Sequence, residues 1–583
     1  MISTFAKFAT TSRSVQSLTG IGKTLARRII KDLGGGDEQA AMKVITHNPY
    51  RLIDVDGIAF TKADRIATKD FDLNLDDSRR HEAGNQYIVG QYGPITWAAF
   101  RKYRRELSLY NPENERDGIV EDRNLVWLPG ELACERFLAQ WIRGLYDESR
   151  DWKSNFEFGV PDASLINLDG VQAGAVMFAL ENPWKVMMLT GDAGTGKTHV
   201  ISNIAKLAHK RGLTTQVLAF AGKAADRARE ALEKAGAPAG ASTIHRALGL
   251  GRDGAFGTPD ELGADIVIVD EASMIPNWLF AMVIMSLKPK ARLVIVGDEA
   301  QLPPIGYGTP FCDMLALKLP MIRLAKNYRQ RDQLGILEVA KSIRDRTSYP
   351  DFEQDAAVRI HAVGDEWIQV ANDIIENVKT RALNWDEWQV VTFKNDMRER
   401  LNQGIQETVN PTSMCLFTVK AWTLDEKELE IRVNDKVIVT KNDYECDVFN
   451  GQIGVVIRLE ERLPFDLEAR TKGEKQLGVL LEMRGQERWI PLDMATELLT
   501  LGYAITCHKA QGSGWQNVIV IQPDRVNGES NKWWYTACTR AENQLTIISS
   551  MNLDTLWQNT IQRSSVKDSS LFERVREASR VNN

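Results

Sequence analysis

Residues 191–198 read Gly-Asp-Ala-Gly-Thr-Gly-Lys-Thr. Gly191, Gly194 and Gly196 free the backbone to bend until its N–H groups converge, Lys197 adds a cation, and the Thr198 hydroxyl suits Mg²⁺. These are the parts of a loop that cradles a nucleotide triphosphate. The flanks agree with that reading. Lys185–Thr190 (Lys-Val-Met-Met-Leu-Thr) is a short apolar run like a buried parallel strand, and Ile201, Ile204 and Leu207 recur behind the loop with helical spacing. Strand, glycine loop and helix follow one another in the required order, which predicts an α/β fold.

Downstream, apolar runs alternate with helical stretches from Leu165 to about Leu324. Thr215–Phe220, Ile266–Val269 and Leu293–Val296 join Met187–Thr190 as expected strands of a parallel, doubly wound sheet. The run Ile266–Val269 ends in Asp270-Glu271-Ala272-Ser273, which puts two carboxylates at the carboxyl edge of the sheet, where ligands of such folds bind. Asp270 suits a Mg²⁺ ion and Glu271 a general base for water attacking a phosphate. Standing alone, this tetrapeptide reads as a surface turn; behind a phosphate loop it reads as catalytic. The next run enters Gly297-Asp-Glu-Ala-Gln-Leu-Pro-Pro304, where the Gln301 amide is placed to sense the terminal phosphate or its water and two prolines stiffen the loop.

The chain has 583 residues, 43% hydrophobic and 26% charged, the profile of a globular protein with a soft prior of about four domains. No stretch approaches the ~20 apolar residues of a membrane span, and Met1–Arg13 lack a signal-peptide core, so a cytoplasmic protein without membrane contact is expected. Six cysteines without a Cys-x-x-Cys pair argue against disulfides and structural zinc, and mostly buried thiols are expected. The net charge of −6 leaves nucleic-acid binding to local patches.

Near the amino terminus, Leu18–Ile29 (Leu-Thr-Gly-Ile-Gly-Lys-Thr-Leu-Ala-Arg-Arg-Ile) is echoed by Val55–Ile66. Both copies resemble helix-hairpin-helix modules, in which a glycine hairpin and helix amino terminus meet a backbone phosphate without reading sequence. Gly20, Gly22 and Lys23 are the candidate contacts, with Arg27 and Arg28 nearby. Ala59 replaces the second glycine of the later copy, which points to packing there; a purely structural helical bundle is the alternative for both. In residues 76–164, Tyr87, Tyr92, Trp97 and Phe100 interleave with Arg101-Lys-Tyr-Arg-Arg105. This is either a nucleic-acid surface or a solvated helix face, in a winged-helix-like or helical accessory region ending in a linker near 152–164.

A second α/β region starts at Val390–Phe393 and resumes at Val518–Ile521 and Leu545–Ile548. Between its halves, residues 430–497 carry strands with short turns, expected to form a small β-barrel. A polar, helical tail follows.

Taken together, Gly191–Thr198, Asp270–Ser273, Gly297–Pro304, Asn327-Tyr-Arg-Gln330, Tyr503–Gly512 and Tyr535-Thr-Ala-Cys-Thr-Arg540 resemble the ordered motifs of superfamily 1 helicases. Ala241-Ser-Thr-Ile-His245 and Thr506–Gln511 place the resemblance in the RecD-like branch. It covers roughly 165–550, and the amino-terminal repeats resemble those of longer RecD-like proteins.

The resemblance implies two RecA-like motor domains, at 165–325 and at 326–429 with 498–555, behind helix-hairpin-helix repeats at 1–75. It also implies an SH3-like insertion at 430–497 and a tail at 556–583. ATP and Mg²⁺ are the implied cofactors. ATP would be held by Gln172 on its adenine and by Gly191, Asp192, Ala193, Gly194, Thr195, Gly196, Lys197 and Thr198. Tyr328 either stacks on the base or packs in a core. Gln511 and Gly512 line the site, and Arg329 and Arg540 are arginine fingers from the second domain. Thr243, His245, Thr506, His508 and Lys509 fall near the DNA strand, the histidines being equally suited to structural roles. Leu250–Gly263, with Phe256, is either a strand-splitting pin or a connecting loop. Asn442, Tyr444 and Asn450 are candidate contacts of the insertion, Asn450-Gly451 alternatively a hairpin turn. The implied activity is 5′-to-3′ translocation on single-stranded DNA with unwinding at single-strand/duplex junctions, by a monomer without nuclease activity. An ATP-driven nucleic-acid clamp and an RNA translocase are the alternatives.

Overall fold

The structure, a computed structural model, describes residues 14–580 except 56–57, 110, 150–164, 166, 251–258, 329–333, 350–356, 381–386, 421–427, 444–445, 464–474, 484, 527–529 and 563–569. Arg329, Phe256, Tyr444 and the expected 152–164 linker therefore lie outside the described residues.

Two parallel sheets organise the molecule. The first has six strands in the order Gly240–Thr243, Thr215–Ala219, Ile266–Asp270, Arg292–Gly297, Val186–Gly191, Met321–Leu324. Every ladder is parallel. Its residues alternate between two buried faces: Met187, Leu189, Ile266 and Ile268 enter one core, and Met188, Val267 and Val269 the other. Burial on both faces explains why these strands read as unbroken apolar runs. The edge strands Gly240–Thr243 and Met321–Leu324 were not anticipated, because the first (Gly-Ala-Ser-Thr) is not an apolar run and Arg323 interrupts the second.

The second sheet runs Val358–Ala362, Ala541–Ser549, Trp515–Ile521, Trp388–Thr392, Ala504–Thr506, again all parallel. Ile519 and Ile521 face one core, Val518 and Val520 the other. Inserted into it is a five-stranded antiparallel sheet over Lys436–Leu501, whose ladders run in a single line. Its apolar side merges with one face of the second sheet. The buried Asp435 marks the junction: its carboxylate accepts from Gln406 Nε2 (2.5 Å), Asn410 Nδ2 (2.7 Å) and Tyr503 Oη (3.1 Å).

The helices of the amino-terminal repeats share one core with the region that follows, from Val15 to Val126. That region runs helix Ser78–Tyr92, strand Ile95–Thr96, helix Trp97–Glu106, strands Val120–Asp122 and Leu125–Trp127, the three strands pairing antiparallel. Phe100 and Arg104, read above as part of a surface, are buried; Arg104 donates to Asn85 Oδ1 at 2.6 Å. Arg101, Lys102 and Arg105 stay exposed. Of the cysteines, Cys446, Cys507 and Cys538 are buried, whereas Cys415 is exposed.

The helix Ser570–Arg580, expected as part of a polar tail, folds back along the helix Pro129–Glu148 and buries Leu571 and Val575. Arg574 donates to Asp122 and, at 2.6 Å, to the fully buried Glu135, which also accepts from Asn277 Nδ2. This ties the chain's end, the amino-terminal unit and the first motor together. Removing one partner of such a pair leaves an uncompensated buried charge. Arg574→Ala is expected to destabilise the fold by about 3 kcal/mol, read as a lowered thermal midpoint; an unchanged midpoint would remove this ion pair from the fold's supports.

Candidate nucleotide site and strand interface

The phosphate loop leaves the strand Val186–Gly191 and ends at the helix Lys197–Lys210. Gly194 and Gly196 hold φ of +83° and +86°, a left-handed backbone that favours glycine. At Gly191 the constraint is space, since a Cβ there would stand 2.8 Å from the Leu324 carbonyl oxygen. Lys197 Nζ donates to the carbonyls of Gly191 (2.5 Å) and Asp192 (3.0 Å), so the cation is folded over the loop's start.

The carboxylates arrive from neighbouring strands. Asp270 is almost fully buried and accepts from the Glu271 N–H at 2.9 Å; burial, then repulsion from Glu271, pushes its carboxyl above the usual range. Glu271 sits at φ +52°, an uncommon conformation for a side-chain-bearing residue that turns its carboxylate into the cleft, where Oε2 is buried without a partner. Gln301 donates Nε2 to Asp298 Oδ2 at 3.2 Å and leaves Oε1 buried and unpartnered. Unmatched acceptors beside Lys197 and Thr198 are the surroundings a hydrated divalent cation satisfies, so the donor set fits Mg²⁺. Among the described residues no group of three or more His, Cys, Asp or Glu side chains is placed to hold a metal ion. Thr198, Asp270 and the nucleotide's own phosphates would therefore hold the ion.

On the adenine side, Asp169 caps the helix Gly170–Glu181 by accepting from the Gln172 N–H at 2.8 Å, while Gln172 Nε2 donates to the Thr195 carbonyl at 3.3 Å. Tyr328 Oη donates to Asp169, and the Tyr328 N–H donates to the Gly194 carbonyl at 2.8 Å. Burial acts to raise the Asp169 carboxyl, but the bonds from Tyr328 and backbone N–H groups outweigh it and hold it low. Gln172 and Tyr328 thus flank one end of the loop.

The opposite wall comes from the second motor. A cleft of about 440 Å³ is lined by Ala193–Thr198, Asp270, Glu271, Gln301 and Tyr328, and by Gly512 and Arg540. The buried Arg540 guanidinium is held by the carbonyls of Thr536 (2.9 Å) and Ser513 (3.0 Å) and by Thr539 Oγ1 (3.0 Å). Gln511 Nε2 donates to the Leu302 carbonyl at 3.2 Å, so it joins the two motors at the rim. Four further participants were missed. Arg227 lines the cleft and donates to the Gly512 carbonyl. Arg344 pairs with Asp192 of the loop, and Asp298 meets Tyr535. Asp298 and Tyr535 stood inside quoted motifs without a role; the other two lie on helices where arginine reads as a surface charge.

The candidates for contact with the DNA strand are divided between the two motors. Thr243 caps the helix Ile244–Ala247 by accepting from the Arg246 N–H at 3.3 Å. His245 lies between the rings of Phe220 and Trp278, 6.0 Å from each, and burial lowers its pKa, so it is a packed, neutral imidazole. The insertion packs against the helix Gly222–Lys234 of the first motor: a Cβ on Gly222 would come within 2.3 Å of Phe449 Cβ, and Gln452 Nε2 donates to Asp226 at 2.6 Å. Thr506, His508 and Lys509 surround the short helix Cys507–Ala510 and are half-buried. Asn442 Oδ1 accepts from the Asn450 N–H at 2.8 Å, which holds these two residues together.

At the amino terminus Gly20 (φ +76°) and Gly22 are exposed, and Gly22 caps the helix that Lys23 opens. Arg27 and Arg28, however, pair with Asp493 (2.7 Å) and Glu497 (3.2 Å) on the insertion's helix.

Two parallel sheets sharing a phosphate-binding cleft define a RecA-like motor of the helicase type. Residues 13–93 match the ATP-dependent RecD2 DNA helicase HHH domain, residues 167–365 an AAA domain, and residues 501–548 the UvrD-like helicase C-terminal domain. The chain is 28% identical over 622 residues to the ATP-dependent RecD2 DNA helicase of Deinococcus radiodurans, covering 99% of this chain and 79% of that one. It is 26% identical to the RecBCD enzyme subunit RecD of Mycolicibacterium smegmatis, covering 72% and 77%. A Bacteroides Pif1 helicase, solved with ADP-AlF3 and single-stranded DNA, aligns at 17% identity over 73% of this chain and 98% of its own, with a TM-score of 0.43. The chain is a RecD-like superfamily 1 helicase with amino-terminal helix-hairpin-helix repeats.

Lys197→Ala is expected to abolish ATP hydrolysis. Arg540→Ala should keep nucleotide binding and cut turnover about 10³-fold or more, as loss of an arginine finger does. Steady-state hydrolysis with a fluorescent-nucleotide titration checks both, and wild-type turnover in either variant would displace that residue from the site.

Proposed function

We propose that this protein is an ATP- and Mg²⁺-dependent DNA helicase that moves 5′ to 3′ along single-stranded DNA and separates duplex at junctions. The observation that carries the reading is the placement of Lys197, Glu271 and Gln301 on one sheet and Arg540 on another across a single cleft. Glu271 orients and deprotonates the attacking water, Lys197 and Arg540 meet charge developing on the transferred phosphoryl group, and Arg329 is assigned as a second finger. Mg²⁺, when bound, neutralises the terminal phosphates. Because hydrolysis needs both walls, turnover alternates with closing and opening of the motors, and a strand gripped by both is advanced one way.

DNA lies across Thr506, His508 and Lys509 and beneath the insertion; Gly20, Gly22 and Lys23 contact duplex backbone. No helix among the described residues is long and apolar enough to cross a membrane. The polarity rests on the RecD-like resemblance. Tailed duplexes test it: unwinding is expected with a 5′ tail, and unwinding only from a 3′ tail would reverse the assignment.

Burial, with Arg398 adding repulsion, pulls the Lys509 ammonium down to about 8. The protonated form exists below that pH and is the one that attracts phosphate, so single-strand affinity should weaken as pH rises through about 8. Lys509→Arg, charged throughout, should flatten this dependence; equal slopes for variant and wild type would take Lys509 off the strand path.

A further inference from the structure

Tyr535 stands in the second motor, on the helix Ser530–Cys538, yet its hydroxyl belongs to the first. The ring is buried, and Oη donates to Asp298 Oδ2 at 3.1 Å while accepting from the Ala193 N–H of the phosphate loop at 3.4 Å. Asp298 is itself buried and holds the segment behind it, accepting from the Ala300 N–H at 3.0 Å and from Gln301 Nε2 at 3.2 Å. The Tyr535 hydroxyl and the Gln301 amide therefore meet on the same carboxylate oxygen. The next residue repeats the crossing, since Thr536 Oγ1 accepts from the Leu302 N–H at 2.9 Å. Burial holds the Tyr535 phenol protonated, so the O–H stays available as a donor.

We propose that Tyr535 is a positioning residue that ties the phosphate loop and the Asp298–Leu302 segment to the second motor, so that Gln301 is aimed into the cleft only while the two motors are together. The hydroxyl touches no reacting atom. It acts through Asp298, whose Oδ2 fixes the Gln301 amide and leaves the Gln301 carbonyl oxygen facing the nucleotide. When the motors separate, the clasp breaks, the Gln301 amide loses its fixed acceptor geometry, and the loop regains the Ala193 N–H. Closure and hydrolysis are thereby joined by two hydrogen bonds, in addition to the arginines that the closing wall carries.

This inference rests on the ATP-hydrolysing reading of the cleft. Tyr535→Phe keeps the ring and removes only the hydroxyl, so the full-length variant tests it directly. In DNA-stimulated hydrolysis kcat is expected to fall 10–100-fold, the loss typical of a misplaced catalytic group, with the KM for ATP and the affinity for a single-stranded oligonucleotide changed less than about threefold. Gln301→Ala supplies the second arm. If Tyr535 acts through Gln301, the double variant is no slower than Gln301→Ala alone, because the two changes remove one function. A Tyr535→Phe protein with wild-type kcat, or one whose kcat falls only in step with its thermal midpoint and nucleotide affinity, overturns the proposal, as do losses that multiply in the double variant. A wild-type protein without ATPase activity would instead overturn the reading of the cleft itself.

Discussion

The backbone at Gly191 lies so close to the Leu324 carbonyl that no side chain fits between them. This contact fixes where the phosphate loop leaves its sheet, and the rest of the motor is arranged around that point. The loop's N–H groups, the Lys197 ammonium and the amino terminus of the helix Lys197–Lys210 form one concentration of positive potential. The strands Ile266–Asp270 and Arg292–Gly297 deliver Asp270, Glu271 and Asp298 to the same edge.

Gathering three carboxylates at one edge, with Asp270 and Asp298 buried, is unfavourable, and the structure shows the strain. Burial raises Asp270 and Asp298, Lys197 opposes both shifts, and Glu271 occupies a left-handed backbone with an unpartnered oxygen. A polar group left unsatisfied in a low-dielectric site is expensive. Such a cleft is suited to a charged ligand that brings its own counter-ion, and to hydrolysis, in which charge moves while the surrounding dipoles stay fixed. The second motor completes the arrangement with Arg540, Gln511 and Tyr535, which donate to a neighbouring carbonyl or carboxylate, and with Thr536, whose hydroxyl accepts from the Leu302 N–H.

Much of this was legible in the chain because local chemistry required it. The glycine loop, the Asp270-Glu271 pair after an apolar run, and most central strands of both sheets follow from spacing and hydrophobicity alone. Edge strands escaped notice because, with Gly-Ala-Ser-Thr at 240–243 and Arg323 within 321–324, neither makes an unbroken apolar run. Arg104 and Phe100 were misjudged for a different reason: a basic-aromatic run has the same composition whether it is solvated or folded around Asn85. Thr243 and His245 were placed near the strand; the Thr243 cap on Arg246 is a local contact, but the rings on either side of His245, Phe220 and Trp278, come from other elements of the fold.

The family resemblance pointed to an arginine on a second motor, and what the sequence indicated by itself was a candidate inventory: a phosphate loop, a metal-suited carboxylate and a carboxylate suited to act as a general base. These are fixed by residue type and short spacing, which bonded geometry transmits without help. Tertiary structure alone decided which groups share the cleft across the two motors. Tyr535 reaches Ala193 over 342 positions, Arg344 reaches Asp192 over 152, and Arg28 turns from the amino-terminal hairpin to Glu497. Contacts at such separations arise from the packing of whole sheets, and no local pattern encodes them.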